Sequence, residues 1–320
     1  VDLAKGSKTV VYSAMGANAV IAASKFSVGL LTGSAAMLAE AAHSLADTIN
    51  QVFLLVSINL GDNPADEDHP YGHGKERFFW AFLAAIFIFI AGAVFSLYEG
   101  AQKVLHPEAH HGSLWPAYLV LGLAFLFDSA VLVIALREVR HQAEAAGLTA
   151  REFLRETSDT TLKTALYEDA AATTGVVVAA LGLFIVQVTG NPIFDGLASV
   201  VIGIILIYVA IMLGREARDL LLGSAAPHRV RRMIEEAISS FPEVRQIVTV
   251  LTMQLGVDSI LVTGELNVRD DLTTDEIEDV MTRISERIRQ QVPQVRNIYL
   301  EPHRATEGGM RRVESRRAPD

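Results

Sequence analysis

The sequence predicts an all-α bundle of six membrane-crossing helices, followed by a cytoplasmic α+β domain of order α-β-β-α-β, ferredoxin-like in type. Three observations predict it. Hydrophobic residues make up 51% of the 320 positions. Six apolar stretches, each near the roughly 20 residues that cross a bilayer, fill the chain up to about Leu213. After Gly223 the pattern changes to charged helical segments and alternating apolar positions, the mark of a small soluble domain.

The six stretches run roughly Val10–Leu31, Ala35–Leu60, Phe78–Val104, Leu114–Leu136, Leu162–Val188 and Phe194–Leu213. Thr32-Gly33-Ser34 turns the chain between the first two, and Thr189 to Pro192 between the last two. Lys163, Glu168 and Asp169 interrupt the start of the fifth. The segment 141–161 is polar and reads as a helical or mobile connector. Val230–Ser240 reads as an amphipathic helix, then Arg245–Leu255 and Ser259–Val268 as strands around a Gly256–Asp258 turn. Thr274 can cap a helix reaching about Gln291, and Val295–Glu301 is a third strand. The expected domains are 1–222 in the membrane and 223–304 in the cytoplasm, with a disordered tail at 305–320.

Basic residues set the expected orientation. Lys5 and Lys8, then Lys75 and Arg77, then Arg137, Arg140, Arg151 and Arg155, then Arg215 and Arg218 all fall on one side. The positive-inside rule places both termini in the cytoplasm, with a bacterial inner membrane as the expected host. Lys25 lies within the first span, near enough to its outer end to snorkel. The chain begins at Val1, and the residues before Val10 do not read as a cleavable signal peptide.

A formal charge of −10 argues against a nucleic-acid partner. The absence of cysteine rules out disulfides and thiolate metal sites, so a metal would have to use His, Asp, Glu or backbone oxygen.

The second span carries Glu40, His43, Asp47 and Asn50. His43 and Asp47 are four apart and share a helix face. Carboxylates at mid-bilayer cost roughly 2.5–3.5 kcal/mol each on insertion scales, and a bound divalent cation would offset that cost. The alternative is a polar pair that packs helices together. The loop 64–77 reads PADEDHPYGHGKER; Asp66, His69 and His73 could close on an ion, Asp68 is a spare carboxylate, and Gly72 and Gly74 would let the backbone turn between ligands. A plain hydrophilic turn is the alternative there. Asp128, in the fourth span, could support a metal or proton path, or contact Asn18, Ser24 or Thr173; Asp195, opening the sixth, reads as an end cap. His106, His110 and His111 form a loop cluster that reads as solvated, and Phe87–Phe95 as lipid-facing or packing.

The HxxxD pair followed by PADxxHxxGHGK resembles the cation diffusion facilitators, over nearly the whole of Val10 to Pro302. The run His69 to Trp80 is similar to the branch that includes a mitochondrial zinc transporter. The resemblance implies a homodimer in the lipid bilayer that exports divalent cations, Zn2+ first, in exchange for protons. It implies a site between spans two and five, with His43 and Asp47 on the former. On span five the family's second HxxxD is absent, and the chain reads ALYEDAAATTG from Ala165. In one register Glu168 takes the His place and Ala172 follows; in the other Asp169 takes it, with Thr173 as a weak ligand. Asp169 is favoured, with Glu168 as alternative or second ligand. Lys75 matches a family lysine that pairs with an Asp after span six, where this chain has Gly223, with Asp219 a turn earlier. The soluble domain has Glu265 or Asn267 and Tyr299–Glu301 where relatives place metal ligands, so it is expected to dimerise rather than hold metal.

Rival functions are weaker. An intramembrane metalloenzyme would need HExxH or a similar water-activating set, which the chain lacks; no enzymatic activity is expected. A non-transporting regulatory or scaffold member would fit the missing span-five His. Mn2+, Fe2+, Co2+ and Cd2+ suit the same donors as Zn2+.

Overall fold

The structure, a computed structural model, describes residues 3–107 and 113–303, with the side chains of 3–15, 17 and 161 left out. His110, His111 and the tail from Ala305 lie outside the described residues, as do the side chains of Lys5 and Lys8. The chain forms two compact units. One contains Val1–Leu60, Glu76–Leu154 and Asp159–Arg218; the other contains Gly61–Lys75, Arg155–Ser158 and Asp219–Asp320.

The first unit is built from long helices: α1 (Leu3–Thr32), α2 (Ala35–Gly61), α3 (Glu76–Leu105), α4 (Trp115–Ala145), α6 (Thr160–Thr189) and α7 (Ile193–Leu222). Short α5 spans Ala150–Glu156. Among the described residues, α3, α4, α7 and the α6 stretch Leu162–Thr189 are long and apolar enough to cross a membrane, and α1 adds an apolar stretch at Asn18–Thr32. The helices α4 and α7 outrun their apolar stretches, because polar residues such as Arg137 to Gln142 continue the helix once the apolar run has ended. The core is made of small and branched residues, among them Ala36, Ala39, Ala46, Leu121, Val176, Ala179, Leu183, Ile202 and Leu206. Alanines let backbones approach, which is how helices gain van der Waals contact where lipid removes the hydrophobic drive. At Gly100 on α3, a Cβ would stand 2.8 Å from the Gly196 carbonyl of α7, so these helices touch backbone to backbone.

Two details depart from the sequence expectation. The Phe-rich stretch includes a π-helical segment at Ile88–Val94, inside α3, which apolar periodicity does not reveal. Phe89 is exposed, while Phe87 packs on the core and edge-on against Phe53. Asp195 caps the neighbouring helix rather than simply closing its own: its carboxylate accepts from the Ser34 hydroxyl (2.7 Å) and from the Ala35 and Ala36 amides (2.7 and 3.3 Å), at the start of α2. Those amides are orphaned by the helix geometry and carry the positive end of its dipole.

The second unit contains α8 (His228–Ser239), β1 (Val244–Gly256), β2 (Ser259–Val268), α9 (Thr274–Gln291) and β3 (Val295–Pro302). The sheet order is β1-β2-β3; β1 and β2 pair antiparallel, and β3 runs parallel to β2. Along β2, Ile260, Val262, Gly264, Leu266 and Val268 face the core in strict alternation. Ile234 and Ile238 of α8, and Val280, Ile284 and Ile288 of α9, cover them at helical spacing. Truncating one of these isoleucines to Ala costs about 2–5 kcal/mol. The α9 cap is Thr273, one residue before the expected Thr274: its hydroxyl accepts from the Glu276 amide, and the Glu276 carboxylate accepts from the Thr273 amide, a capping box.

Candidate metal centres

The candidates on α2, α4 and α6 meet inside the first unit. Asp47, Asn50, Asp128, Glu168 and Asp169 line a cavity of about 180 Å³, with Asn18, Gln51, Ser57, Arg77 and Trp80. That space holds several waters. The Asn50 amide donates to the Glu168 carboxylate, tying α2 to α6. His43 is buried at 1% exposure, with Nδ1 3.4 Å from Asp47 Oδ1. Neither ring nitrogen of His43 has a hydrogen-bond partner, nor do Asp47 Oδ1, Glu168 Oε1, Asp128 Oδ2, Thr173 Oγ1 and Gln51 Oε1, all of them buried. A buried polar atom without a partner costs free energy, so a collection on facing helices calls for a ligand.

Of the two span-five registers, Glu168 is the one that reaches α2. It faces Asp47 and Asn50, whereas Asp169 lines the same cavity and interacts with Asp128. Helix phase explains this: adjacent positions point about a quarter turn apart, and the larger Glu spans the gap between helices. The sequence alone had favoured Asp169. Asp128 lines the cavity beside Asn18, one of its expected contacts, while the Ser24 hydroxyl donates instead to the Val20 carbonyl (2.8 Å).

Lys25 overturns its expectation. It does not snorkel; it is 1% exposed and donates to Glu40 Oε2 (3.0 Å) and Ser44 Oγ (2.8 Å) on α2. A carboxylate on the neighbouring helix satisfies the ammonium without a path to water. Lys163, which interrupts span five, is likewise buried and pairs with Glu216 of α7.

In the second unit, Asp66, His69 and His73 each offer a ligand atom within 4.8 Å of the others, and theirs is the tight three-residue group found among the described residues. The set on α2, α4 and α6 converges more loosely. Asp66 Oδ1 accepts from the His69 backbone amide at 2.6 Å and lies 3.2 Å from His69 Nδ1; Asp66 Oδ2 lies 3.5 Å from His73 Nε2. His73 Nδ1 faces the Pro64 carbonyl at 3.2 Å, a bond that places the proton on Nδ1 and leaves the Nε2 lone pair for an ion. The His69 amide, above all, holds the Asp66 carboxyl below the usual carboxylate range. Gly72 has φ of +82°, as the expected turn requires. Gly74 serves differently: a Cβ there would stand 2.7 Å from the Leu255 carbonyl, so close approach to β1, rather than turning, demands glycine. Asp68 is exposed and outside the cluster.

The Lys75 ammonium donates to the Leu221 carbonyl (3.2 Å) at the end of α7. His106 is exposed, and in the soluble domain the Asn267 amide donates to the His303 carbonyl.

Comparison with known proteins agrees with the family expected from the loop motif. Residues 11–222 match the model of the cation efflux transmembrane domain, and 226–303 that of the cation efflux protein cytoplasmic domain. The chain is 35% identical over 264 residues to the mouse (Mus musculus) "Proton-coupled zinc antiporter SLC30A9, mitochondrial", covering 82% of this chain and 46% of that protein. The chain thus spans about half the length of that relative. It is 29% identical over 254 residues to the "Cation-efflux pump FieF" of Klebsiella pneumoniae, covering 77% of this chain and 79% of the pump. Among solved structures, a zinc form of the MamM CTD is 18% identical with a TM-score of 0.23, covering 25% of this chain and 86% of that one.

Proposed function

The chain belongs to the cation efflux family, and we propose that it is an efflux transporter exchanging a divalent metal cation, Zn2+ first, for protons. One observation carries this reading: the buried, partnerless His43 nitrogens and Asp47, Glu168 and Thr173 oxygens on facing helices α2 and α6, beside a cavity that also admits Asp169 and Asp128. Imidazole nitrogen with carboxylate oxygen is a donor set for Zn2+ and its neighbours, and poorly suits Mg2+, which keeps its waters.

In this reading His43, Asp47 and Glu168 hold the ion, with Asp169 as a second α6 carboxylate and Thr173 and Asp128 at the edge of the site. The loose spacing tightens when the ion arrives, because each ligand then trades an orphaned atom for a metal bond. Protons taken up by the same groups release the ion on the far side, since a protonated imidazole or carboxyl is no ligand. Helices rocking about a fixed site alternate its access. Asp66, His69 and His73 form a second, superficial ion site. The domain at 223–304 pairs two copies into a homodimer, and both termini face the cytoplasm.

The test is flux through the full chain in liposomes with an imposed pH gradient, run across Zn2+, Cd2+, Mn2+, Fe2+ and Co2+. Uptake of at least one ion, abolished when the gradient is collapsed, is expected. No flux of any ion would leave a regulatory or scaffold member instead.

A further inference from the structure

Beyond the cavity, toward the α1–α2 turn, lies a buried cluster that the transport site does not use. Glu40 stands one turn from His43 on α2 and is fully buried. Its Oε2 accepts from the Lys25 ammonium of α1, which also donates to Ser44 Oγ. Its Oε1 has no partner and points at α6: a Cβ built at Gly175 would collide with it. Glycine at 175 therefore makes room for the Glu40 carboxylate, which bridges three helices. Neither Lys25 nor Glu40 lines the cavity, whose wall runs from Ser57, Arg77 and Trp80 to Asp47, Asp128 and Glu168. The ligand cluster is thus reached by the cavity from one end, and the ion pair stands on its other side.

A buried ion pair is a weak source of stability, because desolvation cancels most of the attraction. This pair is also half-satisfied. Lys25 has two acceptors, but Glu40 retains a free, desolvated oxygen one turn from the imidazole. A carboxylate with one oxygen on an ammonium and the other empty can take a stronger cation in its place.

We propose that Glu40 is a second station for the divalent cation, and that the Lys25 ammonium is a tethered stand-in that holds it between passages. The inference rests on the transport reading. An ion leaving His43 and Asp47 toward the α1–α2 end displaces the ammonium from Glu40, and Lys25 returns once the ion has gone. The returning ammonium closes the path and helps repel the ion outward. Asp128, which also senses the Lys25 charge, is a further acid for the displaced ammonium.

The experiment counts bound Zn2+ on the purified full-length chain by equilibrium dialysis, and measures liposome flux of the same variants. Lys25→Met should bind one more Zn2+ per chain than the parent, because Glu40 is then free. The double variant Lys25→Met/Glu40→Gln should return to the parent count. Glu40→Gln, which still accepts from Lys25 and keeps the packing, should keep the parent count but lose roughly ten-fold or more in turnover, as loss of one charged contact predicts. A Lys25→Met count equal to the parent's overturns the proposal, and so does Glu40→Gln turnover indistinguishable from the parent's. If Lys25→Met does not fold, the isosteric Glu40→Gln decides. If the parent itself moves no ion, the transport reading fails, while the Lys25→Met count still decides the station.

Discussion

The two groups of candidate ligands use the same donors in opposite surroundings. Asp66, His69 and His73 lie in a loop, with Asp66 and His69 more than half exposed, and are already held together by the His69 amide and the Pro64 carbonyl. His43 and Glu168 are buried and Asp47 is mostly so, and both His43 nitrogens and one oxygen of each acid lack a hydrogen-bond partner. Water can satisfy the loop ligands when no ion is bound, so that cluster can be tight and cheap to leave empty. In the bundle the cavity can wet Asp47 and Glu168, but it is not lined by His43. Leaving the buried His43 nitrogens without an ion or a proton is therefore the costlier state. In the proposed transport reading, that difference suits the loop to holding an ion and the bundle to passing one on.

The sharpest way to break the comparison is to remove a bundle ligand. His43→Ala or Asp47→Ala should lower Zn2+ flux in liposomes by more than the about 10–100-fold that loss of an outer-shell partner costs. Flux unchanged by either removes the bundle site altogether. Next, Glu168→Ala should cost more than Asp169→Ala, because Glu168 is the side chain tied to α2 through Asn50; the reverse order would restore the other register. Smaller again, His73→Ala should remove the loop ion from an equilibrium Zn2+ count while slowing flux far less than His43→Ala does. Equal losses of flux would mean that the two sites act as one.

The smallest effect is one of pH. The Asp66 carboxyl is held low by the His69 amide, so its bond to that amide is fully present above the ordinary carboxylate range and is lost only as pH falls through the lower folded value. Hydrogen exchange should therefore show the His69 amide still protected at about pH 4, the ordinary carboxyl value. Protection already gone there, or unchanged in Asp66→Asn, would show that Asp66 is not what orders the loop.

Particular residues show how far the sequence could be read. The HxxxD pair, PADxxHxxGHGK, the apolar runs and the β2 alternation are local patterns, and local patterns set helix faces, spans and strand faces. Helix phase between α2 and α6 is not local, so Glu168 and Asp169 could not be ordered before the two helices were seen together. The π-helical segment in α3 leaves no mark in apolar periodicity. The Thr273 cap lay one residue from its expected place because two threonines in a row offer the same hydroxyl.

Lys25 marks the boundary most clearly. A lysine inside an apolar run reads as a snorkelling side chain whenever its own helix is considered alone, since water is the default partner of an ammonium. Its actual partner, Glu40, lies on the next helix, and Gly175 on a third leaves the space that Glu40 fills. The sequence by itself determined the family, the long apolar helices, the C-terminal α+β domain and the residue types able to hold a metal, because these follow from composition and short-range spacing. Only the tertiary structure decided which charges meet, because in a low-dielectric bundle a charge must find its partner within a few ångströms, and that partner can come from any helix packed against it.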